Sequence, residues 1–187
     1  LGAWGADVAG TVAAGAVAGA GVNDEVGATG RMTGSASSPV SGSSSVAGFA
    51  PLDRRYAVFK DFVEKHKLTE KAVWGVVNDT VPASVADQTK AVLRANPDIS
   101  VIFTPWDEFA KGVKLATDEL GVSDKVKIYG VDTSTADIQL MIEPDSAWVA
   151  TAATNAAVVG EVAVRAVSLS IAGQDPGRSV LLQPTLV

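Results

Sequence analysis

From Pro51 onward, apolar positions fall into two alternating rhythms. In PLDRRYAVFKDFVEKHK, Tyr56, Phe59, Phe62 and Val63 recur at helical spacing behind a proline, which predicts a helix over 52–66. Ala72–Val77 is a short apolar run closed by the turn formers Asn78 and Asp79, and predicts a strand. Ser84–Ala95 carries Val85, Val92 and Leu93 on one side and predicts a second amphipathic helix. Asn96-Pro97-Asp98 ends it, because the residue before proline is pushed out of the α region.

The same alternation continues. Ile99–Phe103 is an unbroken apolar run suited to a strand buried on both faces. Asp107–Leu120 predicts a helix stopped by Gly121, and Val126–Val131 a strand ending at Asp132. Ser134–Ile142 predicts a short helix capped by Ser134. Ala147–Ala153 predicts a strand, Ala156–Ala172 a long helix stopped by Gly173, and Ser179–Leu182 a last short strand. Strands alternating with helices of this length imply βαβ units. The expected fold class is α/β, a parallel sheet flanked by helices.

Residues 1–50 lack that rhythm. They hold eleven of the eighteen glycines and no lysine, so they are expected to be a separate Ala/Gly/Ser-rich segment. Ala6–Ala20 predicts a marginal helix, since Gly10, Gly15 and Gly19 each cost about 1 kcal/mol relative to alanine. Gly34–Gly48, GSASSPVSGSSSVAG, has the composition of a flexible linker. The domain division expected is 1–50 and 51–187. The uncharged run Val8–Val22 is shorter than the ~20 residues a membrane span needs and has no basic start, so neither a span nor a signal peptide is expected.

Charge narrows the partners. A net charge of −6 and a pI near 4.7 disfavour nucleic acid and anionic membrane, both of which attract basic surface. The chain has no cysteine, which excludes disulfides and thiolate metal sites. No G-x-G-x-x-G or P-loop pattern occurs, so no nucleotide cofactor is expected.

In a parallel α/β sheet, ligands bind outside the carboxyl ends of the strands. The polar residues expected there are Asn78, Asp79, Trp106, Asp107, Glu108, Asp132, Thr133, Thr154 and Asn155, with Arg54 and Arg55 opening the first helix. An arginine, carboxylates, an amide and an indole suit a small polyhydroxylated ligand. Carboxylates accept from adjacent hydroxyls, a guanidinium donates as a fixed fork, and a ring covers the apolar face of a sugar. Plainer readings compete. Asp132 would also serve as a helix cap, Asp107 as a partner of the helix dipole, Trp106 as core packing and Arg55 as a solvated charge. Glu108, Lys111 and Lys114 read as a wet helix face, and His66 as surface. Catalysis has little support: there is no G-x-S-x-G elbow and only one histidine for a base relay or metal site.

Three stretches carry a resemblance: ANPDISVIFTPWDEFAKGVKLATDELG, then VKIYGVDTSTADIQLMIEPDSAWVATAA, then the long Ala/Val helix ending in AG. From about Pro51 to Val187 the chain resembles the sugar-binding type I periplasmic binding proteins, the ribose- and galactose-binding-like receptors of ABC importers. The resemblance implies one lobe of a two-lobed fold, with Arg55 gripping the sugar, Asp132 accepting its hydroxyls and Thr154 at the lobe crossing. Trp106 stands immediately before the Asp107-Glu108 pair, where relatives tend to carry Asn, which implies a stacking or lid role. Thr80 departs from the aromatic wall of some members.

The implied function is capture of a sugar or polyol without catalysis and delivery to a membrane permease. It would act in the periplasm, or outside the cell on a lipid anchor. Helix 155–172 would pack on the second lobe, on the N-terminal segment or on another copy of the chain. The alternatives are the effector-sensing domain of a lac-repressor-type regulator, for which no basic helix-turn-helix is present, and a small α/β enzyme.

Overall fold

The computed structural model describes residues 40–177 and 180–187. The marginal helix expected at Ala6–Ala20 lies outside them. Eleven elements follow in order: β1 (Val40–Ser44), α1 (Ala50–Lys65), β2 (Thr69–Trp74), α2 (Val81–Ala95), β3 (Val101–Thr104), α3 (Asp107–Leu120), β4 (Lys127–Val131), α4 (Thr135–Met141), β5 (Trp148–Ala153), α5 (Ala156–Ile171) and β6 (Thr185–Leu186). The sheet order is β2-β1-β3-β4-β5-β6, parallel throughout except where β6 runs against β5. The expected α/β fold class is the observed one.

Two apolar layers hold the sheet. On one face α2 and α3 bury Val85, Leu93, Phe109 and Val113 against Ile102 and Ile128. Each fully buried side chain of this size contributes about 1.5–3 kcal/mol. The two helices approach closely at Gly112, where a Cβ would stand 2.5 Å from the Pro82 carbonyl oxygen. On the other face α1 lays Phe59 and Val63 over Phe103, Val131 and Ala152, with the Phe59 and Phe103 rings stacked 4.7 Å apart.

The flexible-linker expectation for Gly34–Gly48, and with it the division at Pro51, does not hold over Val40–Ser44. These residues form β1, which lies between β2 and β3 with Ser41, Ser43 and Ser44 buried. Two of these hydroxyls find partners that a composition cannot show: Ser41 Oγ donates to the Thr69 carbonyl and Ser43 Oγ to Glu70 Oε1 at 2.7 Å. Gly42 leaves room for the Trp74 indole, which a Cβ there would meet at 2.7 Å. That indole crosses to α2 and donates to Thr89 Oγ1 at 2.8 Å.

Two other strands are displaced from expectation. β2 ends at Trp74 rather than Val77, since Gly75 bends away with φ 157° and a Cβ there would press on the Ser45 carbonyl at 2.5 Å. Residues 180–182 form no strand; the last strand is Thr185–Leu186, seated on Ala152 and Ala153. The helix ends match closely, and α4 begins with a full capping box between Ser134 and Asp137. The α5 helix buries none of its residues among those described, and Val164, Val167 and Ile171 are exposed.

Candidate ligand-binding site

The parallel order brings the carboxyl ends of β1, β3, β4 and β5 to one edge of the sheet. The side chains there are fixed by what each strand end and helix start demands. Arg55 extends from the second turn of α1 and reaches β4: its Nη1 donates to Asp132 Oδ2 at 2.6 Å, and its Nη2 to Asp132 Oδ1 at 3.0 Å. Nη1 also donates to the Pro105 carbonyl at 2.7 Å. Such a bidentate fork is geometrically demanding and orients both planes. The arginine is largely shielded, at 12% side-chain exposure, while Asp132 keeps 32% open to solvent.

Asp132 itself sits in left-handed backbone, φ 72°, which Asp tolerates better than most non-glycine residues. Both neighbours on β5 hold it there. Its N–H donates to the Ala152 carbonyl at 2.9 Å, and its own carbonyl accepts from Thr151 Oγ1 at 2.7 Å. Thr154 is half-buried two residues beyond that Ala152 carbonyl.

The turn from β3 into α3 supplies the third side. Trp106 is the N-cap residue, half-buried, with its ring edge-on to Phe109 at 5.6 Å. It is therefore both packing and surface. Asp107 follows in the first helical turn, half-buried, with Oδ1 accepting from the Glu108 N–H. Burial pushes its carboxyl up to about 6, helped by a hydrogen bond and repulsion from Asp137 and by the charge of Asp132, and opposed by Lys111.

The remaining expected residues divide. Asn78 and Asp79 lie past the end of β2 and are exposed; Asn78 is occupied in its own turn, accepting from the Thr80 N–H and donating to Ser84. Thr80 is an exposed N-cap residue of α2. Thr133 is half-buried, and Asn155 caps α5 by accepting from the Ala157 and Val158 N–H groups. Arg54 is half-buried on α1. His66 is exposed, its ring against Phe62.

The wet helix face expected for Glu108, Lys111 and Lys114 is not what α3 shows. Lys114 is buried and pairs with Asp118 and Glu143; Lys111 pairs with Glu108 and with the fully buried Asp137. Carboxylates from α4 and the loop after it draw both ammonium groups inward. Sequence reasoning missed Asp137, Thr151 and the Pro105 carbonyl. Asp137 was nonetheless findable, three residues past Ser134 in a capping-box spacing.

Chemically the edge offers hydroxyl acceptors at Asp132 and Asp107, a guanidinium locked by one of them, and an indole. Among the described residues no group of histidines and carboxylates is arranged to hold a metal ion. A shallow apolar groove lined by Ile138, Met141, Trp148 and Val187 lies toward the start of β5, away from these polar groups.

The fold is thus an α/β lobe with helices on both faces of its sheet and an Arg–Asp fork at its polar strand ends. The chain belongs to the family described as periplasmic binding protein domain, whose model matches residues 10–175. It is similar to the 5-methylthioribose transporter solute-binding protein of Thermotoga lettingae, at 34% identity and a TM-score of 0.76 over 80% of this chain and 47% of that one. It is also similar to a sugar ABC transporter protein of Yersinia enterocolitica, at 30% identity and a TM-score of 0.74 over 80% of this chain and 46% of that one. A carbohydrate transporter solute-binding protein of Agrobacterium radiobacter in complex with D-arabinose shares the fold, at 23% identity and a TM-score of 0.73, over 96% of this chain and 57% of that one. This chain thus spans about half the length of these structures. No curated protein matches it. Among the described residues no helix is long and apolar enough to cross a membrane.

Proposed function

We propose that this chain forms one lobe of the solute-binding component of an ABC importer, capturing a sugar or sugar-like polyol without catalysis. The observation that carries the reading is the Arg55–Asp132 fork at the end of β4. Two lone-pair sites of Asp132 are used by the arginine, and the solvent-open remainder can accept adjacent sugar hydroxyls. Arg55, Trp106, Asp107, Asp132 and Thr154 would form this lobe's share of the pocket, Trp106 covering the apolar face of the ligand. The likeness to a 5-methylthioribose-binding protein supports a pentose-like ligand, one end of which is apolar.

The chain would work outside the cytoplasmic membrane, in the periplasm or on a lipid anchor, and deliver its ligand to a permease. The apolar side of α5 would be covered by a second lobe, with β1 to β5 forming the described lobe and α5 with β6 its return; self-association through α5 is the competing way to cover it. A lobe acting alone offers only part of a pocket, so weak binding is expected. Backbone amide shifts of the 187-residue chain, followed on titration with D-ribose, D-arabinose and 5-methylthioribose, test this. Millimolar affinity with shifts centred on Arg55, Trp106 and Asp132 is expected, and Asp132→Ala should abolish them. Shifts absent for all three sugars would overturn the sugar reading, while micromolar or tighter affinity would overturn the half-pocket reading.

A further inference from the structure

Arg55, Asp107 and Asp132 form the polar side of the site, but apolar side chains lie open along the same edge. Phe49, at the start of α1, is 56% exposed, and Val77, just past β2, is 52% exposed. Trp106, at the start of α3, is half-buried. Phe49 and Trp106 are both N-cap residues without a side-chain cap hydrogen bond. That position favours Ser, Thr, Asp and Asn, so starting a helix explains neither aromatic. Residues that break a local rule mark functional places. The Phe49 backbone is nonetheless fixed. Its carbonyl accepts from the Leu52 and Asp53 N–H groups, and the Asp53 carboxylate accepts from the Gly48 N–H at 3.2 Å. An exposed ring is thereby held at one place on the rim.

The strand order separates the apolar side chains from the polar ones. β1 and β3 are neighbours in the sheet, yet Phe59 and Val63 of α1 pack on one face and Phe109 and Val113 of α3 on the other. Helices that leave adjacent strands for opposite faces open a crevice at the edge, where open α/β sheets take their ligands. Phe49 and Trp106 stand at its two borders, one at the start of each helix. Along the edge, β2 and β1 lead into Val77 and Phe49, β3 into Trp106 and Asp107, and β4 and β5 into Asp132 and Thr154. Asn78, the polar residue beside Val77, is spent within its own turn.

We propose that Phe49, with Trp106 and Val77, forms an apolar subsite selecting sugars that carry an apolar substituent, and that Phe49 is its specificity-determining residue. This rests on the sugar-binding reading and narrows its ligand class. The ring hydroxyls lie on Asp132 and Asp107, and an alkyl or alkylthio substituent extends along the edge to Phe49. The ends of β4 and β1 are two strand spacings apart, roughly 10 Å, so the substituent supplies the reach as well as the apolar contact. A hydroxyl in its place would lose its water against an aromatic ring without gaining a partner.

D-Ribose and 5-methylthioribose differ only in a hydroxyl against a methylthio group, and make the test pair. Amide-shift titrations should show 5-methylthioribose binding about tenfold more tightly, the scale of one small apolar group in an apolar pocket. Phe49→Ser should bring 5-methylthioribose down to the affinity of D-ribose, and Phe49→Tyr should keep the preference. Serine suits an N-cap, so Phe49→Ser should melt no lower than the parent, which separates lost selectivity from a lost fold. NOEs should also connect the S-methyl protons to the Phe49 ring. Equal affinity of the parent for both sugars, or a preference that survives in Phe49→Ser, would overturn the apolar subsite and leave the sugar reading standing. Absence of binding by both sugars would overturn the sugar reading and this inference with it.

Discussion

Asp132 meets two demands at once: a left-handed backbone and a charge opposite Arg55. Asparagine satisfies the first and not the second, so Asp132→Asn should keep the fold while loosening Arg55, with a loss of about 1–2 kcal/mol in chemical denaturation. Asp107 has the opposite character. Its folded-state carboxyl titrates at about 6, above its ordinary 3.8, so between those values the folded chain binds more protons than the unfolded one. Stability contributed by the neutral acid is therefore full below the ordinary value and lost as pH rises through about 6. Asp107→Asn should consequently raise the melting temperature at pH 8 and leave it nearly unchanged at pH 4. Gly112→Ala should be felt everywhere, because its Cβ would meet the Pro82 carbonyl at 2.5 Å; thermal unfolding should report about 1–3 kcal/mol of destabilisation. Of these residues, Arg55, Asp107 and Asp132 were legible from sequence because strand ends and helix starts are. The inward turn of Lys111 and Lys114 was not: a lysine between acidic residues reads as solvated until the tertiary fold supplies Asp137 and Glu143.

At the scale of elements, helices were the most legible because their apolar spacing and stops are local. α3 runs from Asp107 to Leu120, as its pattern predicts, and ends on Gly121 at φ 64°. β1 was illegible for a physical reason: VSGSS has no apolar alternation, and its burial is secured by hydroxyl partners on β2 rather than by hydrophobicity. β6 was misplaced because two residues carry no periodicity and its position is set by pairing with β5. The capping box of α4 allows an element-scale test. Ser134→Ala should cost about 1 kcal/mol and speed hydrogen exchange over Thr135–Met141.

For the whole molecule, the unequal treatment of the helices is the main energetic fact. α1, α2 and α3 each bury an apolar stripe, while α5 buries no residue among those described and exposes Val164, Val167 and Ile171. If self-association covers that side, sedimentation should show dimers or larger species that Val164→Glu with Val167→Glu disperses. Unfolding free energy of the monomer should change by no more than about 0.5 kcal/mol, as expected for exposed positions. The central place of β1 has a consequence for synthesis. It leaves the ribosome before both strands that flank it, β2 and β3. A Val/Ile-rich segment waiting there would be an unpaired, adhesive edge; a Ser/Gly segment stays solvated until its slot exists. The strand that reads like a linker is thus protected during the interval when it has to behave as one.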